Sequence, residues 1–266
     1  MPWAARSGGG KRELNPNGLM DEGRGARMSS RFEGAVVLVA GGTGGLGRAV
    51  SLAFLGADAK VVVTYKRQEE LDSLRRAAGA NGPRLEAYNT DVTDETSVRQ
   101  LIETIVAKNG RLDAVVNTVG GYAGGAKLWE LEPKIFERML ALNLRSGYVL
   151  SRAAVPAMLK QGKGAMVNVA AKAAFDHAAG AAAYAASKAA AVAMIDSLAA
   201  DLKGSGVRVN TILPSIIDTE ANRQAMPEAD FANWPKPEDI AKVILFLCSE
   251  DAKVIHGADI PVYGNR

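Results

Sequence analysis

The sequence predicts an α/β fold: a single doubly wound domain in which a parallel seven-stranded sheet carries helices on both faces. Two observations predict it. From Gly34 onward, short apolar runs alternate with segments of helical period. A glycine-rich turn also follows the first apolar run and opens the first helical segment. Continuous apolar strands are typical of a parallel sheet buried on both faces, and right-handed crossovers make that sheet doubly wound.

Short runs rich in apolar residues predict the seven strands, and the first of them, over residues 36–40, contains no polar residue. The predicted strands cover residues 36–40, 60–65, 85–90, 112–118, 165–169, 207–213 and 258–262. Between them lie segments of helical period, amphipathic over residues 95–108 and alanine-rich over residues 181–202. The predicted helices cover residues 46–55, 69–78, 95–108, 133–142, 145–161, 181–202 and 237–248.

Residues 1–30 differ from the rest and predict a disordered N-terminal extension ahead of one domain over residues 31–266. The segment combines a glycine triplet and scattered charges with no hydrophobic period. No apolar stretch follows its positive charges, which argues against a signal peptide, and its acidic residues argue against a transit peptide. Met28 is an alternative start.

Composition narrows the function classes. The net charge of +3 over 266 residues gives no sign of a nucleic-acid partner. One cysteine, Cys248, excludes an internal disulfide, and with only two histidines no metal site is expected. No run approaches the roughly 18 apolar residues of a membrane span. We therefore expect a cytoplasmic protein that acts on a small molecule, with no membrane partner.

The glycine-rich turn predicts a binding site for the pyrophosphate of a dinucleotide. Gly42, Gly44 and Gly47 fit the pattern G-x-G-x-x-G, and Gly41, Gly45 and Gly47 fit G-x-x-x-G-x-G. Glycine lets the backbone approach a phosphate closely, and a helix N-terminus offers free N–H groups and a favourable dipole. The position after the first strand of a βαβ unit makes the match much stronger than an isolated one.

The end of the second predicted strand favours NADP(H), with NAD(H) still possible. Dinucleotide-binding proteins often carry a carboxylate here for the adenosine ribose. This chain has Tyr65 instead, followed by Lys66 and Arg67, two cations suited to a 2′-phosphate.

Tyr184 and Lys188 form a candidate proton-transfer pair. Four residues apart, they share one face of a helix. A nearby ammonium, together with the positive ring of oxidised nicotinamide, favours the phenolate and moves the phenol pKa from about 10 toward the operating pH. The sequence thus predicts Tyr184 as the proton donor of a hydride-transfer reaction.

Over about residues 34–264 the chain resembles the short-chain dehydrogenase/reductase family, which implies a Rossmann domain and an NAD(P)-dependent oxidoreductase. The resemblance is carried by the glycine turn, Asp91-Val92, Asn117-Thr118-Val119-Gly120, Asn143, Tyr184-Ala185-Ala186-Ser187-Lys188, Pro214 with Thr219, and the ending 257–264. It implies that Asp91 contacts adenine, that Asn143 holds a proton-relay water, and that Thr219 binds the nicotinamide amide. The usual Pro-Gly after the sixth strand is Pro214-Ser215 here.

These arguments predict a set of site residues. The catalytic residues are Tyr184, Lys188 and Asn143. The cofactor-binding residues are Gly41, Thr43, Gly44, Gly45, Leu46, Gly47, Tyr65, Lys66, Arg67, Asp91, Val92, Asn117, Val119, Gly120, Tyr184, Lys188, Pro214, Ile217 and Thr219.

One departure from the family bears on the substrate. Most members place a serine 13 residues before the tyrosine, where it binds the substrate oxygen, and this chain has Ala171. Three explanations stay open: an inactive protein, a substitute donor such as Ser215 or water, or a substrate without a carbonyl that needs the serine. Dihydropteridine reductase, one branch of the family, is similar in having alanine there. It is also similar to this chain around residues 120–125 and 226–234.

The local resemblance implies a reductase of a quinonoid dihydropterin or related cyclic substrate. The predicted pocket comprises Ala171, Lys172, Tyr122 and Trp234, although Trp234 could equally pack in a loop. Alternatives are a carbonyl reductase of the 3-oxoacyl type and a cofactor-binding sensor or scaffold without turnover. A homo-oligomer, either a dimer or a tetramer, is expected through the alanine-rich helix and the helix before it.

Overall fold

A seven-stranded sheet runs through the part of the chain that the computed structural model describes, residues 32–264. Its strands are β1 (Val36–Ala40), β2 (Lys60–Tyr65), β3 (Leu85–Asn89), β4 (Ala114–Asn117), β5 (Gly164–Val169), β6 (Val207–Pro214) and β7 (Asp259–Val262). Every neighbouring pair is parallel, in the order β3-β2-β1-β4-β5-β6-β7. The predicted Rossmann arrangement is confirmed. The predicted disorder of residues 1–30 lies outside the described residues.

Helices connect the strands and cover the sheet. They are α1 (Gly45–Gly56), α2 (Gln68–Ala78), α3 (Glu95–Asn109), α4 (Pro133–Leu140), α5 (Ser146–Gln161), α6 (Ala182–Asp201), α7 (Glu220–Ala225) and α8 (Pro237–Cys248). Local signals set their ends: the carboxylate of Asp94 accepts the N–H of Ser97 at the start of α3, and Gly110 ends that helix in the left-handed conformation. Across residues 32–264, no helix is both long and apolar enough to cross a membrane.

The core lies in two layers, one on each face of the sheet. Val37 and Val39 of β1 pack with Phe54 of α1 and Ile244 of α8 on one face. The alternate residues of β1 pack with α3, α5 and α6 on the other. Because successive side chains of a strand point to opposite faces, a strand covered on both sides must be apolar throughout. This explains the uninterrupted apolar run of β1.

Two parts of the chain differ from the sequence-based expectation. Between α4 and α5, residues 141–145 form a π-helical segment, so the two predicted helices are one continuous helical run. Helix α7 was not predicted because none of its side chains is buried, and a helix with no apolar face leaves no hydrophobic period.

The strand order places a crevice at the carboxyl ends of β1 and β4. From β1 the chain moves outward to β2 and β3 and then returns to β4 on the other side of β1. In open α/β sheets ligands bind at such a switch point. The turn after β1 and the turn after β4 meet here, where the backbone N–H of Thr118 donates to the carbonyl of Ala40 at 3.1 Å.

Candidate active site

The glycine turn after β1 is packed too tightly to hold residues that carry a Cβ atom. A Cβ added at Gly47 would lie 2.0 Å from the carbonyl oxygen of Gly41, and one at Gly42 would lie 2.5 Å from Val63. Gly41 itself has a φ of +72°, in the left-handed region that favours glycine. Its N–H donates to the hydroxyl of Thr64 at 2.9 Å, which ties the turn to β2.

Helix α1 begins at this turn with its N-terminus open. Within residues 32–264, no side chain caps the helix and its first turn contains no acidic residue. The free N–H groups and the dipole of the helix therefore face the crevice, as an anion-binding site requires. A Cβ added at Gly45 would lie 2.8 Å from Thr219, so the start of α7 packs directly against this end of α1.

A groove of about 470 Å³ extends from the glycine turn toward the end of β2. It is lined by Gly45, Leu46, Arg67, Glu70, Ile217, Thr219, Glu220, Ala221, Asn222 and Gln224. Lys66 and Arg67 are exposed, and Tyr65 is half-buried at the end of β2. The hydroxyl of Thr43 donates to Glu70 at 3.0 Å, and Arg67 forms an ion pair with Glu70.

The residues after β3 and β4 are those predicted to contact the adenine and to line the cofactor. The Asp91 carboxylate accepts the N–H and the hydroxyl of Thr93, and these bonds lower the pKa of Asp91, with a smaller contribution from Lys66. Val92 is buried beside it. At the end of β4, Asn117 is buried and donates to Asn168 at 3.0 Å, and its side-chain oxygen accepts the N–H of Val119.

The Tyr184–Lys188 pair lies on α6 beside β5. Lys188 is 4% exposed and its Nζ donates to the carbonyl of Val169 at 2.9 Å. Burial lowers the pKa of Lys188 to about 8. Burial, and secondarily Tyr122, raises the pKa of Tyr184 to about 12. Burial therefore favours the neutral phenol, which is opposite to the direction that the sequence argument gave.

Asn143 connects α6 to the turn after β4. It is buried in the π-helical segment, and its side-chain oxygen accepts the N–H of Gly121 at 2.9 Å. Its amide nitrogen donates to the carbonyl of Gly121 at 3.0 Å and to the hydroxyl of Ser187 at 2.9 Å. The Ser187 hydroxyl in turn donates to the carbonyl of Tyr184 at 2.8 Å.

Gly120 lies between the residues predicted to be catalytic. An added Cβ there would be 2.9 Å from Oδ1 of Asn143 and 3.2 Å from Nζ of Lys188. The structure thus brings Asn143, Lys188 and the turn after β4 together, and a side chain at position 120 would separate them.

The ring of Tyr122 lies beside Tyr184, the predicted proton donor. The two rings are edge-on, with centroids 5.0 Å apart, and Tyr122 is 70% exposed. A Cβ added at Gly124 would lie 2.1 Å from the Tyr122 hydroxyl, so the side chain folds back over its own loop. The far end of the loop is held by a bond of 2.9 Å from the N–H of Gly125 to the carbonyl of Gly180.

Ala171 is buried after β5 and brings no hydroxyl to the site. Lys172 beside it turns toward the C-terminal segment: its Nζ lies 2.9 Å from Asp176 and 5.5 Å from the centroid of the Tyr263 ring. Ser215, considered above as a substitute donor, donates its hydroxyl to the carbonyl of Tyr263 at 3.0 Å. Its proton is therefore engaged by the backbone of Tyr263.

Trp234 lies in the packing of the segment that precedes α8. It is 6% exposed, and its ring centroid is 4.9 Å from that of Phe231. Arg223 of α7 stacks on the ring of Phe231, with its Cζ atom 4.8 Å from the ring centroid. Of the two aromatics predicted for the pocket, Tyr122 is exposed beside Tyr184, whereas Trp234 supports the fold of its loop.

These observations fit a nicotinamide dinucleotide. The turn whose glycines leave no room for a Cβ and the open N-terminus of α1 suit a pyrophosphate, and the groove beside Arg67 and Thr43 suits the adenosine ribose. Pro214, at the end of β6, leads into the segment that carries Ile217 and Thr219 along the same groove. Within the described residues no group of three or more His, Cys, Asp or Glu side chains could hold a metal ion.

Sequence reasoning missed two residues of the site. Glu70 contacts Thr43, 27 positions earlier in the chain, and only its i,i+3 spacing from Arg67 could have drawn attention to it. Ser187 lies inside the Tyr184–Lys188 motif, but its hydrogen bond with Asn143 joins residues 44 positions apart, so spacing could not reveal it.

Comparisons with known proteins agree with this geometry. A family model described as short chain dehydrogenase matches residues 35–230. The chain is 32% identical over 242 residues to the 3-oxoacyl-[acyl-carrier-protein] reductase of Thermotoga maritima, covering 88% of this chain and 98% of the relative. It is 33% identical over 243 residues to D-threitol dehydrogenase of Mycolicibacterium smegmatis, with 88% and 93% coverage.

Solved structures with similar folds include a short-chain type dehydrogenase/reductase from Mycobacterium ulcerans, with a TM-score of 0.83 and 26% identity over 88% of this chain and 90% of that one. ElxO with NADP bound gives a TM-score of 0.82 and 28% identity, over 86% and 97% of the two chains. The chain therefore belongs to the short-chain dehydrogenase/reductase family and is an NAD(P)-dependent oxidoreductase of that type.

Proposed function

We propose that the protein is an NADP(H)-dependent reductase of a flat, conjugated cyclic substrate of the quinonoid dihydropterin class, with Tyr184 as proton donor. The observation that carries this proposal is the exposed ring of Tyr122, edge-on to Tyr184 at 5.0 Å. It offers a planar substrate an aromatic contact next to the proton donor. Ala171 lies on the same side of the fold without a hydroxyl for a substrate carbonyl.

The protein's own groups suit proton donation. The raised pKa of Tyr184, about 12, keeps the phenol protonated at neutral pH. Once a reduced substrate carries a developing negative charge, that proton can move from the Tyr184 oxygen to it. Lys188 and Asn143 position this end of the site: Lys188 is held by Val169, and Asn143 fixes the turn at Gly121.

The cofactor supplies the hydride when bound. The residues of this chain that would hold it are those of the glycine turn for the pyrophosphate, Asp91 for the adenine and Thr219 for the nicotinamide amide. Lys66 and Arg67 support NADP(H) because both are cations at the end of β2 and Arg67 lines the groove.

A carbonyl reductase of the 3-oxoacyl type is the second candidate. It is favoured by the similarity to the Thermotoga maritima enzyme, which extends over 88% of this chain. This activity needs a donor for the carbonyl oxygen in place of the missing serine. The Ser215 hydroxyl donates to Tyr263, so a water molecule is the substitute donor that this second candidate uses.

Steady-state oxidation of NADPH and NADH tests the proposal, with a quinonoid dihydropterin, a panel of ketones and a 3-oxoacyl thioester as substrates. We expect turnover of the dihydropterin, with NADPH preferred. Turnover of the ketones or thioester alone would overturn the substrate class in favour of the second candidate. The substitution Tyr184→Phe should lower kcat by about 10²–10⁴-fold while dinucleotide affinity stays within about threefold.

Ala171→Ser separates the two candidates further. A serine here should raise reduction of ketones by about tenfold or more and leave dihydropterin reduction unchanged, because it restores a donor only a carbonyl uses. Ala173→Ser, in the half-buried turn that follows, is the matched control and should change neither rate. Equal gains on both substrates would argue against a substrate adaptation at Ala171.

We also propose that the protein acts in the cytoplasm as a homo-oligomer, a dimer or a tetramer, assembled through α5 and α6. Support comes from the exposed small side chains of α6, such as Ala186 and Ala193, which leave room for a partner helix. Analytical ultracentrifugation tests the assembly. Substituting Ala193 by Glu should dissociate the oligomer without unfolding the protomer.

A further inference from the structure

Glu70 accepts hydrogen bonds from two donors beside the groove, Thr43 and Arg67. It lies in the first turn of α2 and lines the groove beside the glycine turn. The hydroxyl of Thr43 donates to one of its oxygens at 3.0 Å, and Arg67 pairs with the other. Carboxylate and phosphate oxygens accept the same charge-assisted hydrogen bonds from a guanidinium.

The arrangement is more than a solvated ion pair on a helix surface. An ordinary surface ion pair joins two residues three positions apart at one helix, and the pair of Arg67 with Glu70 has this spacing. The bond from Thr43 instead joins the phosphate-binding turn to α2 across 27 residues of chain. The Glu70 side chain is only 28% exposed, because it turns inward to the turn rather than outward to solvent.

The other cation at the end of β2 also has an acidic neighbour. The Lys66 ammonium lies close enough to Asp91 to contribute to the lowered pKa of that carboxyl. The two cations that favoured NADP(H) in the sequence, Lys66 and Arg67, therefore each have a carboxylate beside them. Asp91 lies near Lys66, and Glu70 pairs with Arg67. Of these two carboxylates, only Glu70 also accepts a hydrogen bond from a hydroxyl of the glycine turn, that of Thr43.

We propose that Glu70 is an internal competitor of the adenosine 2′-phosphate for Thr43 and Arg67, and that it is the residue that limits the preference for NADP(H) over NAD(H). The inference rests on the dinucleotide site of the proposed function. A cofactor with a 2′-hydroxyl leaves both contacts of Glu70 in place. A 2′-phosphate must replace Glu70 as the acceptor for Arg67 and Thr43. It then lies close to the negative charge of Glu70.

Calorimetric titration of NADP+ and NAD+ into the wild-type protein and Glu70→Gln tests this. Gln keeps an oxygen for the Thr43 hydroxyl but removes the charge that holds Arg67. We expect the ratio of the Kd for NADP+ to the Kd for NAD+ to fall about tenfold, the effect of removing one unit charge near a phosphate in a solvent-facing site.

Glu69→Gln is the matched control because Glu69 is in the same helical turn and is exposed. It removes the same charge from the same helix N-terminus, so it should change both dissociation constants alike and leave their ratio within about twofold. A second cycle uses Arg67→Ala: in that background Glu70→Gln should have a smaller effect, because no guanidinium is released and only the repulsion between the carboxylate and the phosphate is removed.

The outcomes separate the two proposals. An unchanged ratio in Glu70→Gln, or weaker binding of NADP+, would show that Glu70 orders the site rather than competes in it, and would overturn the inference. In that case binding and turnover by the wild-type protein would still support the proposed function. Binding of both dinucleotides without reduction of any substrate would refute the proposed function and leave the role of Glu70 standing. Failure of the wild-type protein to bind either dinucleotide would refute both.

Discussion

The ring of Tyr122 stands edge-on to the ring of Tyr184, with centroids 5.0 Å apart and an angle of 75° between the planes. This contact places an exposed aromatic group next to a phenol whose proton is held by burial. It is possible because Gly124 leaves room for the Tyr122 hydroxyl to fold back over the loop.

Tyr122→Ala should raise KM for a cyclic conjugated substrate several-fold, up to about tenfold, because an aromatic contact contributes roughly 0.5–1.5 kcal/mol. Tyr122→Phe keeps the ring and should stay within about twofold of the wild-type KM. Steady-state kinetics with one dinucleotide held at saturation would measure both. A similar KM in all three proteins would mean that the substrate does not touch Tyr122.

Lys188→Met should abolish turnover and yet stabilise the protein at neutral pH. Burial lowers the pKa of Lys188 from 10.5 to about 8, so the folded state is penalised for holding the proton. The penalty is complete below pH 8 and disappears as pH rises to 10.5, where the unfolded chain also releases its proton. After allowing for the lost bond to Val169, we expect a gain of about 1–2 kcal/mol at pH 7.

Urea denaturation at pH 7 and at pH 10.5 measures this gain in the free energy of unfolding. It should be present at the first pH and absent at the second. Lys203→Met, at an exposed position, is the control and should show no such difference between the two conditions. A gain that is equal at both pH values would come from apolar packing of the methionine and not from the titration of Lys188.

Asn143→Ala should destabilise the protein by about 2–3 kcal/mol. The substitution leaves the N–H and carbonyl of half-buried Gly121 and the hydroxyl of buried Ser187 without their present partner. Asn89→Ala at the exposed end of β3 should cost less than about 0.5 kcal/mol. Equal losses in the two variants, measured by denaturant unfolding, would contradict the bridging role of Asn143.

Gly47→Ala should prevent the glycine turn from closing. The new methyl group would lie 2.0 Å from the carbonyl oxygen of Gly41, so the turn must open and dinucleotide binding should weaken by at least about 100-fold. Gly56→Ala, at the other end of α1, meets no atom within 4 Å and should be neutral or slightly stabilising. Calorimetric titration of the dinucleotide and thermal unfolding should be measured for both variants. Together they distinguish a local clash at Gly47 from a general intolerance of α1 to substitution.

Several elements of the fold could be predicted because their signals are local. The apolar run of β1 and the glycine turn that follows it predicted a strand, a helix start and an anion site, and the structure has the strand and the helix at those positions. Helix α7 escaped prediction because its side chains are not buried. The contacts of Asn143 in the π-helical segment escaped too, because its side chain bonds to Ser187, 44 positions along the chain.

By itself the sequence determined the fold class, the phosphate-binding turn and the spacing of Tyr184 and Lys188, because strand period, glycine geometry and the helical repeat act over a few neighbouring residues. Only the tertiary structure decided that burial raises the pKa of the Tyr184 phenol, that Trp234 is buried and that Glu70 engages Arg67 and Thr43. Desolvation and contacts across the groove depend on which elements pack around a group, and packing joins residues that the sequence keeps apart.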